Sequence, residues 1–275
     1  MEYKEKFIAF IDILGFKKMV EASVIGTGIP LADILEMLKK LGTHEDQQRI
    51  RSGNIFLPES ERIYPDLDFK ITQISDCVVI SSEKSPVGLL NLVIHCSNAI
   101  TELLYMGKMC RGYITCGKIY HTDTQFIGTG YQKALDKEQS VSAFKFTGDE
   151  VGTPFVEIDP EVCEYVNKYG DNMVKRHFNR EIRSDGVINA LFPFQLLGDK
   201  YAFHPYDSDL TKKNVKQSVQ NNCITLMELN ARIMQYVDKS RPDVVKKAEH
   251  YINALYEQLM CISTQGKILE RLCQK

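Results

Sequence analysis

Two aspartates stand where apolar runs that are typical of buried strands come to an end. Asp12 follows FIAFI in the segment FIAFIDILGF, and Asp76 follows ITQIS in the segment KITQISDCVVIS. If these strands lie side by side, the two carboxylates approach each other. At about 4 Å and an effective dielectric of about 20 they repel by roughly 4 kcal/mol, a large share of a domain's stability. We therefore expect one aspartate to take up a proton, or a cation to bridge the pair.

Magnesium suits such a pair, because it prefers hard oxygen ligands and keeps positions open for the phosphates of a substrate. Gly15 and Phe16 follow the first strand, where a tight turn into a helix directs free backbone N–H groups at an anion. Asp12, Gly15 and Phe16 together are consistent with a nucleoside triphosphate site. The alternative is structural: Asp12 caps the following helix, and Asp76 is a turn residue.

The order of elements along the chain is what would bring the two aspartates together. From Phe7 onward the patterns predict strand, helix, strand, strand, helix, strand, a split βαβ plan. The second and third strands form a hairpin with a polar tip at Asp76. Ser85 and Pro86 begin a long apolar helix, which Gly107 terminates. The predicted fold class is α+β, with helices covering one face of an antiparallel sheet of ferredoxin-like order.

The remaining segments extend this core. Residues 43–66 are polar with isolated apolar positions, which predicts an insertion or a long loop. Further strands are expected near 178–196. Two long amphipathic helices, separated near Pro242, then form a helical extension over residues 201–275. This extension would make dimer contacts or cover the sheet of the domain over residues 1–200.

The composition of the chain argues against several classes of protein. The chain has 275 residues, 44% of them hydrophobic, and a formal net charge of −2. It has no basic field to hold a nucleic-acid backbone, so we expect no nucleic-acid partner. No segment offers about 18 uninterrupted apolar residues, so no membrane span is predicted. The cysteines form no Cys-x-x-Cys pair and the N-terminus lacks the features of a signal peptide, which favours a cytoplasmic location.

The segment FIAFIDILGF resembles the first metal-binding motif of class III nucleotidyl cyclases, the adenylate and guanylate cyclases. KITQISDCVVIS is similar to their second metal-binding segment, and RGYITCGKIYH is similar to the strand that follows their long helix. A closer resemblance is to bacterial cyclase-like proteins that share the opening Ala-Phe-Ile-Asp-x-Leu-Gly-Phe. The resemblance covers about residues 7–160. It implies that Asp12, Ile13 and Asp76 bind Mg²⁺ or Mn²⁺.

The resemblance also implies an activity and an assembly. A nucleoside triphosphate would be converted to a cyclic nucleotide and pyrophosphate, as the ribose 3′-OH attacks the α-phosphorus. Gly15, Phe16 and Lys70 would bind the nucleotide, and Lys70 aligns in FKITQISD with the lysine that reads adenine in adenylate cyclases. The alternative for Lys70 is an exposed charge at the start of a strand. Because cyclase active sites lie between two subunits, a homodimer is expected.

One helix departs from the cyclase pattern. After the residues FIG, cyclases place an asparagine and, four residues later, an arginine that stabilises the transferring phosphoryl group. This chain has Gln132 and Asp136 at those places. A shift of one residue gives Lys133 and Lys137, which share a helix face but lack the two-pronged geometry of a guanidinium. Gln132, Lys133 and Lys137 are therefore the candidate catalytic residues, and the alternative for the lysines is a solvated helix face.

A second departure concerns the lysine that binds phosphate on a later strand of the cyclases. The segment REIRSDGVINALFPF lacks it, and Arg180 and Arg183 are the nearest substitutes. Three functions therefore remain open. The chain is a metal-dependent nucleotidyl cyclase-like enzyme, or it is a degenerate homologue that binds a nucleotide or serves as a dimeric signalling module. The third alternative is a structural dimerisation module.

Overall fold

The computed structural model describes residues 1–53, 66–146, 152–198 and 211–272 of the chain. Its strands are β1 (Lys4–Ile13), β2 (Phe69–Ile74), β3 (Cys77–Glu83), β4 (Cys110–His121), β5 (Phe126–Ile127), β6 (Val156–Ile158), β7 (Ile182–Ser184) and β8 (Asn189–Leu191). Its helices are α1 (Phe16–Val24), α2 (Leu31–Leu38), α3 (His44–Arg51), α4 (Pro86–Tyr105), α5 (Thr129–Glu138), α6 (Pro160–Tyr169), α7 (Asn172–Glu181), α8 (Gln195–Gly198), α9 (Lys212–Tyr236) and α10 (Pro242–Leu272).

The strands form one mixed sheet in the order β2-β3-β1-β4-β6-β8-β7, with β5 paired to β4. The strands β2, β3, β1 and β4 are antiparallel neighbours and follow the βαββαβ order of a ferredoxin-like core. The predicted α+β class is therefore confirmed. The sheet is not wholly antiparallel, because β6 pairs with β4 in the parallel direction.

The central strand β1 supplies side chains to two separate cores. Its odd-numbered residues from Phe7 to Ile13 belong to the larger core, together with residues of α4. Ile8 and Phe10 belong to a smaller core, together with Ala134 of α5. Since successive side chains of a strand point to opposite faces, α5 covers the face opposite to α4. The prediction of helices on one face only missed this arrangement, because α5 buries few and mostly small residues, namely Gly130, Ala134 and Glu138.

Helix α4 begins and ends where the sequence predicts. The Ser85 side chain accepts a hydrogen bond from the N–H of Gly88, Pro86 occupies the first turn, and Gly107 follows the helix with a φ of +69°. Among the described residues, α4 is the one helix that is long and apolar enough to cross a membrane, and 72% of that apolar window is buried inside the fold. It is the central helix of the larger core.

The predicted loop over residues 43–66 contains a helix, α3. Thr43 and Asp46 form a capping box, in which each side chain accepts a hydrogen bond from the backbone N–H of the other residue. Such a box stabilises a helix start even where the following residues are polar. Residues 54–65 of this segment lie outside the described residues.

The region predicted as strands near 178–196 is partly helical. Helix α7 extends to Glu181, and the short strands β7 and β8 follow it. Val174 and Phe178, four residues apart, are the apolar side chains that α7 buries. So short an apolar stripe does not separate a helix from a strand by periodicity.

The C-terminal helices α9 and α10 cover the sheet domain. Residues of both helices, among them Leu229 and Tyr251, belong to the larger core. The second helix begins at Pro242, as predicted. At Gly107 the turn after α4 approaches the end of α9 closely, because a Cβ there would lie 2.4 Å from atoms of Tyr236. Residues 199–210, where the predicted domain boundary falls, lie outside the described residues.

The crossing of α5 over β4 should tolerate no side chain at Gly130. A Cβ there would lie 2.3 Å from Cδ1 of Ile8 and 3.0 Å from backbone atoms of Gly117. We expect Gly130→Ala to lower the free energy of unfolding by about 1–3 kcal/mol, although alanine favours helix. Urea denaturation measures the change. Gln132→Ala, on the exposed side of the same helix, should stay within about 0.5 kcal/mol of wild type, and an equal effect of both substitutions would contradict the prediction.

Candidate functional site

The end of β1 and the tip of the β2–β3 hairpin meet at one place. Asp12 lies one residue before the end of β1, opposite Cys77 of β3 and Arg111 of β4. Asp76 lies in the turn between β2 and β3. Its carbonyl oxygen accepts a hydrogen bond of 3.1 Å from the N–H of Ile13. The hairpin tip is therefore joined directly to the end of β1, and the structure brings Asp12 and Asp76 together.

The carboxyl group of Asp12 is in an unfavourable place for a negative charge. Burial raises its pKa from the ordinary 3.8 to about 7, and the negative charges of Asp76 and Glu138 act in the same direction. A hydrogen bond with Asp76 adds to the shift, while the positive charge of Arg111 opposes it. Near neutral pH the Asp12 carboxyl group is therefore partly protonated in the metal-free chain. A bound cation would instead stabilise its charged form.

Arg111 and Glu138 complete the charged cluster around Asp12 and Asp76, and neither of them was predicted from the sequence. Nε of Arg111 donates a hydrogen bond to Oε1 of Glu138, which is 4% exposed at the end of α5. The signal for Arg111 is its position in RGYITCGKIYH, a strand that had to pair with β1. Glu138 has no comparable signal, because a glutamate in the last turn of a helix is usually exposed.

Helix α1 begins directly beyond the aspartate strand with Gly15 as its N-cap. Gly15 has a φ of +78°, and no side chain caps the helix. No side chain therefore competes with an anion for the first-turn N–H groups and the positive end of the helix dipole. That Gly15 and Phe16 bind such an anion stays a prediction. The Ile13 side chain is apolar and 1% exposed, so only its backbone carbonyl could serve as a metal ligand.

The predicted catalytic residues of α5 are not gathered around Asp12. Nζ of Lys133 lies 2.7 Å from Oδ2 of Asp159 and 3.5 Å from Oε2 of Glu161. Gln132 and Lys137 are exposed. The member of α5 that contacts the charged cluster is Glu138, at the last position of the helix.

The other predicted charges also have partners within the chain. Nζ of Lys70 lies 2.6 Å from Oδ1 of Asp123, which also accepts a hydrogen bond from the Gln47 side chain. Lys70 would have to break this ion pair with Asp123 before it could contact a nucleotide base. Arg183 forms an ion pair of 2.9 Å with Glu257 of α10, so this substitute for the missing lysine is engaged as well.

The donor set at the aspartate pair fits a hard divalent cation. Among the described residues, no group of three or more His, Cys, Asp and Glu side chains is placed to hold a metal. Two carboxylates and the Ile13 carbonyl are nevertheless sufficient for Mg²⁺, which is often held by one or two carboxylates with waters and substrate phosphates at its other positions. The raised pKa of Asp12 also fits a site that a cation would complete.

Comparison with known proteins gives similarity to several solved structures. A bacterial light-regulated adenylyl cyclase is 16% identical, with a TM-score of 0.37, over 60% of this chain and 45% of that chain. A second light-regulated adenylyl cyclase structure is 14% identical, with a TM-score of 0.36, over 83% and 58%. The catalytic core of a rhodopsin-guanylyl cyclase of converted specificity, in complex with ATPαS, is 14% identical, with a TM-score of 0.35, over 60% and 82%.

No family model and no curated protein matches the chain. With identities and TM-scores this low, the structural likeness carries no argument about function. The chain spans 45% of the length of the first of these cyclases, so the activity of that protein as a whole does not transfer.

Asp12→Asn should stabilise the metal-free protein at alkaline pH. The folded state raises the pKa of Asp12 from 3.8 to about 7. Below about pH 4 the carboxyl group is protonated in both states and costs no stability, and the stability is lost as the pH rises from there through 7. An asparagine removes this loss. In urea denaturation with a chelator at pH 8, we expect the free energy of unfolding of the variant to exceed that of the wild type by roughly 1–2 kcal/mol. The difference should be smaller at pH 5. The exposed Asp136→Asn should show no such pH dependence; if it does, the repulsion is not local to Asp12.

Arg111→Met should destabilise the fold strongly. It leaves Glu138 buried without its ion-pair partner, which typically costs roughly 3–5 kcal/mol. In the double variant with Glu138→Leu no uncompensated charge remains, and we expect most of this loss to be recovered. The measurement is thermal and urea unfolding of the wild type and of these two variants. Equal destabilisation by the single and double variants would show that packing, not the unpaired carboxylate, is responsible.

Proposed function

We propose that this chain is a metal-dependent nucleotidyl cyclase-like enzyme, which converts a nucleoside triphosphate to a cyclic nucleotide and pyrophosphate. The observation that supports it is the pair Asp12 and Asp76 at neighbouring strand ends. The fold gains nothing from this pair, because the raised pKa of Asp12 records a cost to the metal-free protein. A bound cation would relieve this repulsion, and the relief would add to the affinity for the metal. At the same end of β1, the start of α1 has no side-chain cap, so its N–H groups can bind a phosphate.

Each residue then has a defined task. Asp12 and Asp76, with the carbonyl of Ile13, would hold Mg²⁺ or Mn²⁺. When bound, the cation would supply acidity to the ribose 3′-OH and neutralise charge on the phosphates. Glu138 engages Nε of Arg111, and the terminal nitrogens of the guanidinium would donate to a phosphate oxygen.

The reaction balances without a further reagent. The ribose 3′-oxygen forms a bond to the α-phosphorus, and the bond from that phosphorus to the bridging oxygen of the β-phosphate breaks. Pyrophosphate leaves, and the proton of the 3′-OH passes to water. The first-turn N–H groups at Gly15 and Phe16 would hold the phosphates in line for this displacement.

The enzyme is proposed to act as a homodimer. In this chain α5 packs on its own sheet, and Lys133 is bound to Asp159. The outer side of α5 carries exposed polar residues, including Gln132 and Lys137. These residues would therefore serve a nucleotide held by the aspartates of a second subunit.

A specific observation favours a second function, a nucleotide-binding homologue without turnover. The two lysines that the resemblance assigns to base reading and phosphoryl transfer both form ion pairs within the chain, Lys70 with Asp123 and Lys133 with Asp159. If these pairs persist in the complex, neither charge is available to the substrate. Metal and nucleotide would then bind without chemistry.

Incubation with each of the four nucleoside triphosphates separates the two functions. With Mg²⁺ or Mn²⁺ present, we expect mass spectrometry to detect a cyclic nucleotide and pyrophosphate from at least one of them. Asp12→Asn and Asp76→Asn should each reduce the product by roughly a hundredfold or more, because the cation loses a charged ligand. Asp33→Asn, at an exposed position of α2, is the matched control and should retain wild-type activity.

If no product forms, calorimetric titration with a nucleoside triphosphate and Mg²⁺ or Mn²⁺ distinguishes the remaining alternatives. Metal-dependent nucleotide binding that both aspartate variants lose would favour the non-catalytic homologue. Binding that survives in both variants would refute the two-aspartate site itself, and Asp12 would then be only a structural residue.

A further inference from the structure

A cavity of about 500 Å³ lies where the C-terminal helices meet the start of α1. Its walls come from the residues after β1, including Gly15, from the turn between α4 and β4, and from the beginning of α10. Its size falls in the range of small-molecule sites, about 300–1,000 Å³. The cavity begins just beyond Ile13, so it adjoins the aspartate pair.

The charges that line this cavity are mostly basic. Arg241 pairs with Asp243 at 2.5 Å, and Lys18 lies near Asp238. The two remaining cations are Lys108, in the turn after α4, and Lys247, on α10. Among the described residues, neither of these two lysines has an ion-pair partner.

Both lysines are partly withdrawn from water. Burial alone lowers the pKa of Lys108. Burial is also the largest cause of the lowered pKa of Lys247; the positive charges of Arg111 and Arg241 act in the same direction, while Asp243 and Glu138 oppose them. A half-buried ammonium without an anion is costly, and two of them on different elements of one cavity indicate that an anion is the missing partner.

We propose that this cavity binds the polyphosphate tail of the nucleoside triphosphate, with Lys108 and Lys247 as its cationic contacts. The inference rests on the proposed function and names the residues that hold the leaving pyrophosphate. A ligand that meets two separate lysines and a helix N-terminus must carry several anionic oxygens, as a polyphosphate does. Lys247 also lies within electrostatic reach of Arg111 and Glu138. Leu14 and Gly15, which follow Ile13 directly, line the cavity.

The assignment accounts for a gap in the sequence. The lysine expected on a later strand is missing, and Arg183, one of the two nearest substitutes, is paired with Glu257. In this chain the α4–β4 turn and the C-terminal helices would provide the positive charge instead, from the same subunit that carries the aspartates. The extension would then form part of the substrate site as well as covering the sheet.

The test uses inorganic triphosphate as the probe, titrated calorimetrically into the full chain without divalent metal. We expect the wild type to bind it, and Lys108→Met and Lys247→Met each to weaken binding by about tenfold or more, because each removes a charge-assisted contact. Lys239→Met, at an exposed position outside the cavity, removes the same charge and should change the affinity by about twofold or less. Lys247→Arg should retain binding, and thermal unfolding verifies that all variants fold.

Competition distinguishes the nucleotide's own tail from a separate anion. A non-hydrolysable triphosphate analogue with Mn²⁺ should displace inorganic triphosphate from the wild type. Simultaneous binding of both would overturn the assignment, as would a wild type that does not bind the probe or variants that bind it like the wild type. If the probe binds through Lys108 and Lys247 while no nucleotide binds or reacts, the cavity stands as a polyphosphate site and the cyclase proposal fails.

Discussion

The repulsion between two carboxylates at adjacent strand ends is the constraint on which the site depends. The order β2-β3-β1-β4 places the hairpin tip next to the end of β1, and the hydrogen bond from Ile13 to the Asp76 carbonyl keeps it there. Two cores hold β1 from both faces, so the strands cannot separate to relieve the repulsion. The positive charge of Arg111 offsets it only in part, because Arg111 is bound to Glu138. The fold therefore keeps a local deficit of positive charge that a cation can fill.

The features that could be predicted from sequence were those with strong local signals. β1 is a continuous apolar run, and α4 has a capping serine, a proline in its first turn and a glycine after its end. Both were found for these reasons. Helix α3 was not predicted because its residues are polar, although the sequence contains its capping box. The position of α5 was not predicted because this helix buries mainly small residues, on the face of the sheet opposite to α4. Local patterns describe one element at a time, and they do not state which face of the sheet an element will cover.

The same limit applies to the site. The aspartates could be paired from the sequence, because each one ends its own strand segment and the order of strands brings them together. Arg111 and Glu138 joined them through strand register and helix packing, which depend on the whole fold. The lysines that resemblance selected are engaged by Asp123 and Asp159, partners that are distant in sequence. Ion pairing within the chain determines which positive charges remain available to a ligand, and a local sequence motif does not predict these pairs.

The two cores of β1 connect the folding of this strand to the chemistry at its end. Asp12 shares its face with Ile8 and Phe10 because all three positions are even-numbered, and each of them is paired with β3 on one side and β4 on the other. Insertion or deletion of a single residue within the strand would reverse this parity and point the carboxylate into the larger core, among the side chains of α4. Changes of length within β1 should therefore be excluded during evolution of this chain even where its hydrophobic character is preserved.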